Sequence, residues 1–373
     1  MPERILVIGG TGPTGIPIVA GLVHRGAAVT ILHRGRHERG ETPATVTHLH
    51  ADPFDEGSLA DALRGSTYDA VVAMYGRLRK VAELTVGRCG RFISVGGVPA
   101  YRGWMNPFLD AADGTPGGLA NPVPESAETV GDVAEDEKGF RIVRTEQAVF
   151  ERHPGATHFR YPYVYGPYQP APREWCIVRR ILDGRRRMAV ADDGLTLHHH
   201  GYTENLAHAV LLAVDQPAAA AGKIFNAADT EVLSVRQVID IVAGALGAEL
   251  ELVSLPHELA VPARPLQTQP RPTHRVLDLT RIRAELGYRD RVPARVALAR
   301  TARWLVDHPV APGSPEEVVL TDPFDYAAED LLFDRWARVL AGLVPPDWVE
   351  EPRWGLAYSG PGGRPRSRPV FEP

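Results

Sequence analysis

Short apolar runs recur at residues 5–8, 28–32, 46–49, 70–73 and 92–95, each bounded by polar or turn-forming positions. Consecutive apolar residues over so few positions fit strands buried on both faces. Between the first two runs, residues 16–25 carry apolar positions at helical spacing and stop at Gly26. Residues 58–64 do the same and stop at Gly65. Glycine supplies the left-handed turn that ends a helix. Strands alternating with helices predict βαβ units, an α/β fold and a parallel sheet covered on both sides. The stretch 99–139 breaks the pattern: it is rich in Gly, Pro, Asp and Glu and has weak periodicity. Long loops of this kind are usually functional or mobile. The periodicity then predicts a helix over 140–152 and a sixth strand over 157–160. Beyond Gly166 come helices over 174–182, 204–215, 235–246 and 294–306 and a strand over 223–226. A proline-rich link spans 256–272. The tail from 311 to 373 carries ten prolines around one helix at 326–341.

Composition narrows the class. Glycine (36) and proline (33) are abundant but scattered, so the chain reads as a loop-rich globular protein and not as a collagen-like one. With 373 residues it has room for two domains and a sizeable core. The net charge is −5, and the densest basic run is Arg185, Arg186 and Arg187. That argues against a nucleic-acid partner, which calls for a concentrated basic face. No stretch approaches 18 consecutive apolar residues, so no membrane span is expected, and residues 5–8 are too short for a signal peptide. Two lone cysteines, Cys89 and Cys176, make no disulfide framework and suggest a cytoplasmic location.

The chemistry starts at the first turn. Gly9, Gly10, Thr11, Gly12, Pro13, Thr14 and Gly15 follow the first strand and open the first helix. In a dinucleotide site Gly9 allows the tight turn and Gly12 lets the backbone approach a pyrophosphate. Gly15 lets the helix pack closely. The helix N-terminus then stabilises the phosphate charge. After the second strand, where an acidic residue would select NAD through the ribose 2′-hydroxyl, the chain has His33, Arg34, Gly35 and Arg36. Arginine there pairs with a 2′-phosphate, so Arg34 and Arg36 favour NADP, with NAD as the alternative. Asp52 is placed either to contact adenine or to start a helix.

These residues, with Asp52 and the segment Arg160, Tyr161, Pro162, Tyr163, Val164, Tyr165, Gly166 and Pro167, resemble the extended short-chain dehydrogenases/reductases, the NAD-dependent epimerase/dehydratase family. Residues 201–207 (GYTENLA) and the stretch from Asp278 to Tyr288 are similar to further family segments, and the resemblance covers roughly residues 4–307. It implies a Rossmann doubly wound parallel sheet with a smaller C-terminal substrate domain. Residues 1–165 would form the dinucleotide-binding domain, with 201–228 returning to it. Residues 166–200 and 229–310 would form the substrate domain, and 311–373 an extension. The resemblance adds Ala73, Tyr161 and Pro162 to the cofactor contacts. It implies a small-molecule substrate in the cleft between domains, and homodimers are common among proteins of this kind.

The family's catalytic set is a Ser/Thr after the fifth strand and a Tyr-x-x-x-Lys on a helix. Here a gapless match over Arg91 to Tyr101 puts Gly97 at the Ser/Thr position, and beyond the following loop Phe140 and Arg144 occupy the place of the Tyr and Lys. A phenyl ring has no proton to exchange, and arginine supplies charge and ribose contacts without relaying a proton. Tyr101 and Tyr75 are the candidate replacements as acid or substrate clamp, with a packed aromatic as the other reading for each. Ser94 reads as structural and Glu146 as part of a surface or cofactor-side ion pair. Among His198, His199 and His200, alternation along a strand keeps the three from one metal ion, so none is expected. His198 or His200, with Gly97, Tyr101, Phe140 and Tyr163, would face the substrate. Three functions follow: an NADP(H)- or NAD(H)-dependent oxidoreductase or epimerase on a small polar metabolite, a cofactor-binding pseudoenzyme, or a non-redox lyase or isomerase on the same fold.

Overall fold

The computed structural model describes residues 1–35, 40–52, 54–74, 77–107, 119–267 and 269–352. Seven parallel strands form the central sheet: β1 (Arg4–Ile8), β2 (Ala28–His33), β3 (Thr47–His50), β4 (Tyr68–Met74), β5 (Cys89–Gly97), β6 (Thr157–Tyr161) and a late strand, Lys223–Asn226. Their order across the sheet is Lys223–Asn226, β6, β5, β4, β1, β2, β3. β1 lies between β2 and β4, so the crossovers run outward from it in both directions. The ligand crevice of such a sheet lies at that switch point, beyond the strand carboxyl ends.

The apolar runs explain the layers. Successive strand residues face opposite sides. Ile5 and Val7 of β1 pack into a cluster with Ile18 and Leu22 of α1 (Gly15–His24), and with Leu206 and Val210 of a later helix, Thr203–Asp215. Leu6 and Ile8 pack on the other side, with Leu59 of α2 (Glu56–Ala62), Leu78 and Val81 of α3 (Leu78–Leu84) and Val149 of α4 (Glu137–Arg152). Each such side chain, fully buried, contributes roughly 1.5–3 kcal/mol.

The expected strands and helices are found with bounds shifted by up to three residues, and several short elements were not expected. α3 has only seven residues and no cap of its own, and was not anticipated. α4 starts at Glu137, three residues before the expected 140. Its first turn is polar, so periodicity misses it, but Asp136 caps it by accepting a hydrogen bond from the Lys138 amide at 3.0 Å. The added turn brings Glu137 and Lys138 to the cleft.

Beyond β6 the chain forms three small two-stranded ribbons. Tyr163–Tyr165 pairs with His200–Tyr202, Arg187–Ala191 with Glu251–Leu255, and Leu197–His198 with Leu233–Ser234. Contacts divide the chain into one unit covering Met1–Phe324 and a second that begins at Asp325. The second carries the expected tail helix, Tyr326–Gly342.

Candidate functional site

A cleft of about 1470 Å³ opens at the carboxyl ends of β1, β2, β4, β5 and β6. Gly9, Thr11, Gly12, Pro13 and Thr14 line it at one end. Gly9 has φ +91°, a conformation open to glycine. A Cβ on Gly15 would sit 2.3 Å from the Gly9 carbonyl oxygen, so only a glycine lets α1 start there. A Cβ on Gly12 would meet nothing nearer than that same oxygen, at 3.4 Å. Gly12 thus has a bare face and a wall position, and the turn around it is held by Gly12 N–H to Gly9 C=O (3.1 Å) and Ile16 N–H to Gly12 C=O (3.1 Å).

At the end of β2, Arg34 also lines the cleft, its guanidinium 5.9 Å from the Phe54 ring centroid. Arg36 lies outside the described residues, as does Tyr75. Asp52 turns inward on its own backbone: its Oδ1 accepts from the Phe54 amide at 2.9 Å and its amide donates to Ser58 Oγ. That is a local turn leading into α2, whose cap is Asp55, and Asp52 is not part of the cleft wall. Ala73 is fully buried in β4, and its neighbour Met74 reaches the cleft instead. Tyr161, Pro162, Tyr163 and Gly97 all line it.

The expected catalytic positions are rearranged. On α4 the cleft is lined by Glu137, Lys138, Arg141, Ile142 and Thr145. A Tyr and a Lys four residues apart would have to lie on this face. Phe140 and Arg144 do not; Arg144 is exposed and donates to Gln147 at 2.9 Å. The sequence register was off because Gly139 sets the face: a Cβ there would lie 2.4 Å from the Pro99 carbonyl oxygen, so Gly139 is pressed against the turn after β5. Pairs four apart on the cleft side are Glu137 and Arg141, Lys138 and Ile142, or Arg141 and Thr145. None is a Tyr-Lys pair.

Tyr101 takes the structural alternative. It is wholly buried, its hydroxyl donates to Asn226 Oδ1 at 2.6 Å, and the Arg160 guanidinium lies 4.6 Å from its ring centroid. Burial raises its pKa despite the nearby Arg160, so it keeps its proton. It does not line the cleft. Removing that hydroxyl in Tyr101→Phe leaves the buried Asn226 oxygen without its donor. The expected result is a stability loss of about 1–3 kcal/mol in denaturant unfolding, with cofactor affinity unchanged; a weakened affinity at unchanged stability would contradict this placement.

The substrate-side histidines are also sheltered. His198 and His200 line a separate void of about 20 Å³ with Glu174, room for about one water. Burial lowers the pKa of His198 to about 3, with Arg275, Arg173 and His274 adding to it, and puts His200 well below its ordinary value. Both are neutral near pH 7 and are poor acids there. His199 accepts from the Leu277 amide at 3.0 Å and meets the Asp229 carbonyl at 2.5 Å, a structural role. Tyr163 and Arg173 line both spaces.

Sequence reasoning overlooked a polar chain beneath β5. His158 lines the cleft although fully buried, and its Nδ1 lies 2.7 Å from Ser94 Oγ. Its Nε2 is 3.3 Å from Glu146 Oε1 but makes no well-formed hydrogen bond. Glu146 receives two hydrogen bonds from Arg160, at 2.9 and 2.7 Å. Burial opposes ionisation of Glu146, but the neighbouring His158 and the hydrogen bonds and charge of Arg160 outweigh it and hold the carboxyl at about 2. Glu146 is therefore the anion of a buried ion pair with Arg160, where the sequence suggested a surface or cofactor-side one.

Solved structures resemble this arrangement over most of the chain. UDP-glucose 4-epimerase of Thermotoga maritima, crystallised with UDP-glucose, superposes with a TM-score of 0.64 at 19% identity, covering 82% of this chain and 99% of that one. The Bordetella bronchiseptica enzyme WbmG in complex with NAD and UDP gives 0.64 at 17%, covering 83% and 95%. The chain shares the epimerase fold. UDP-glucuronic acid 4-epimerase of Bacillus cereus in complex with NAD gives 0.61 at 15%, covering 82% and 99%. The expected α/β class and Rossmann sheet are thus confirmed, at identities that speak to fold alone. An uncharacterised Sinorhizobium fredii protein, y4nL, is 26% identical over 168 residues, which is 39% of this chain. That match spans 46% of the length of y4nL, less than two thirds. No family model matches the chain.

Proposed function

We propose that the protein binds a nicotinamide dinucleotide along the cleft and acts as an oxidoreductase or epimerase on a small polar metabolite, with an active site that departs from its relatives in fold. The observation that carries this reading is the Gly9–Gly12–Gly15 turn opening into the cleft, with Gly12 kept bare toward it. The cofactor's pyrophosphate would lie against Gly12 and the start of α1, and its nicotinamide near Gly96, Gly97 and Ile142. When bound, the cofactor supplies hydride acceptance or donation. The chain supplies the wall, the exclusion of water and the proton. NAD is the favoured cofactor, because the fold neighbours that name one name NAD. Arg34 at the cleft keeps NADP as its competitor. UDP-sugars are the substrate class to try first, as UDP-glucose and UDP are held by structures of this fold.

One observation favours a second reading. Neither a Tyr-Lys pair on the cleft side of α4 nor a side-chain hydroxyl at Gly97 is present, which suits a cofactor-binding sensor without turnover. The test is calorimetric binding of NAD+, NADH, NADP+ and NADPH, followed by incubation with UDP-glucose, UDP-galactose and UDP-glucuronate, with net oxidation read at 340 nm and epimerisation by chromatography of the sugar nucleotides. Micromolar binding of one cofactor pair supports the dinucleotide reading, and turnover then separates enzyme from sensor. Failure to bind any of the four overturns both. Among the described residues no helix is long and apolar enough to cross a membrane.

A further inference from the structure

We propose that His158 is the proton-exchanging group of this cleft. The inference rests on the dinucleotide reading above. A Cβ on Gly96 would lie 2.6 Å from His158 Nε2 and 2.9 Å from its Cε1. The imidazole therefore occupies the space in which a side chain at 96 would begin. Gly96, next to the Gly97 that leaves the end of β5 without a hydroxyl, is what admits this ring to the cleft wall.

The surroundings give the ring the parts of an acid–base group. Ser94 Oγ lies 3.4 Å from the Thr157 carbonyl oxygen, to which it donates its hydrogen. In this proposal the ring is the donor in the 2.7 Å contact between Ser94 Oγ and His158 Nδ1. In that tautomer the lone pair is on Nε2, the buried nitrogen behind Gly96 that makes no well-formed hydrogen bond. When Nε2 takes a proton from a ligand hydroxyl, the ring becomes a cation. The Glu146 carboxylate, 3.3 Å away and held by Arg160, faces the charge that develops. In the reverse direction the same proton returns from Nε2 to the ligand oxygen. Ser94 and Glu146 are positioning residues, in the sense that they orient the ring and balance its charge.

Two measurements test this, using the full chain. The first is an imidazole ¹⁵N spectrum of histidine-labelled protein loaded with NAD+ and then with NADH, assigned with His158→Gln. A ring in the cleft wall shifts between the two forms, because the nicotinamide changes charge beside it, and reports Nδ1 as the protonated nitrogen. Identical His158 signals in both forms, or a proton on Nε2 in both, overturn the proposal. The second compares His158→Gln with the wild type. We expect NAD+ affinity within threefold and a loss of about 100-fold or more in the rate at which the UDP-sugar panel is oxidised (340 nm) or epimerised (chromatography). A folded variant that retains the rate within threefold makes His158 a core residue and refutes the proposal. If the variant does not fold, or the wild type turns over no sugar of the panel, the spectrum decides alone, with the assignment taken from Ser94→Ala. Absence of NAD+ and NADH binding by the wild type is a separate result: it removes the dinucleotide reading, and this inference with it.

Discussion

Gly12→Val is expected to weaken NAD+ binding by 100-fold or more, a loss of about 2.7 kcal/mol, while the melting temperature changes by less than about 2 °C. The two halves of this result come from one measurement. In the free protein a Cβ at position 12 meets only the Gly9 carbonyl oxygen, at an ordinary contact distance of 3.4 Å. Its methyls extend into the cleft and not into the core, so the fold has no reason to yield. The bound pyrophosphate, by contrast, needs that same space to reach the start of α1. Gly15→Ala is the control with the opposite pattern. Its Cβ would lie 2.3 Å from the Gly9 oxygen and 2.7 Å from the Gly10 carbonyl carbon. Backbone must shift there, at a cost of about 1–3 kcal/mol. Calorimetric titration and thermal melts of both variants check the pair. Full-strength binding by folded Gly12→Val would remove the glycine turn from the site.

The parts of the molecule that were legible in the sequence are those governed by local rules. β1, β2, β4 and β5 are apolar on both faces, and that alone marks buried parallel strands. The glycine turn was legible because φ +91° at Gly9 and the closeness of Gly15 to Gly9 exclude other residues. What was not legible depends on distant partners. The hydroxyl of Tyr101 is decided by Asn226, 125 positions away, and no local pattern tells whether that ring faces a cleft or a core. The α4 register was lost because its first turn, Glu137, Lys138 and Gly139, has no apolar periodicity, and its face is set by Pro99. His158 sits in the strand segment THFRY, where a lone histidine reads as core. Its partner Ser94 is 64 positions back. One signal was available: two consecutive glycines at the end of β5, directly after the apolar run of residues 92–95.

Glu146→Gln is expected to cost about 3–5 kcal/mol in unfolding free energy at pH 7. Glu146 and Arg160 are both nearly inaccessible, and the carboxylate takes two hydrogen bonds from the guanidinium. A glutamine offers one oxygen and turns an NH₂ toward a donor, so the buried Arg160 charge loses its compensation. The effect is pH-dependent with a definite sign. Glu146 is depressed from its ordinary 4.5 to about 2 in the folded chain. Its contribution is therefore complete above pH 4.5 and declines as pH falls through about 2. Other carboxylates titrate in the same range, so the informative quantity is the difference between wild type and variant: large at pH 7, shrinking toward pH 2. A difference below about 1 kcal/mol at pH 7, or one that grows on acidification, would break the argument. The same carboxylate that stabilises Arg160 faces Nε2 of His158. Glu146→Gln should thus also remove the anion against which a protonated ring is held, and the His158 ¹⁵N signals of the variant should differ from the wild type even at a temperature where both are fully folded.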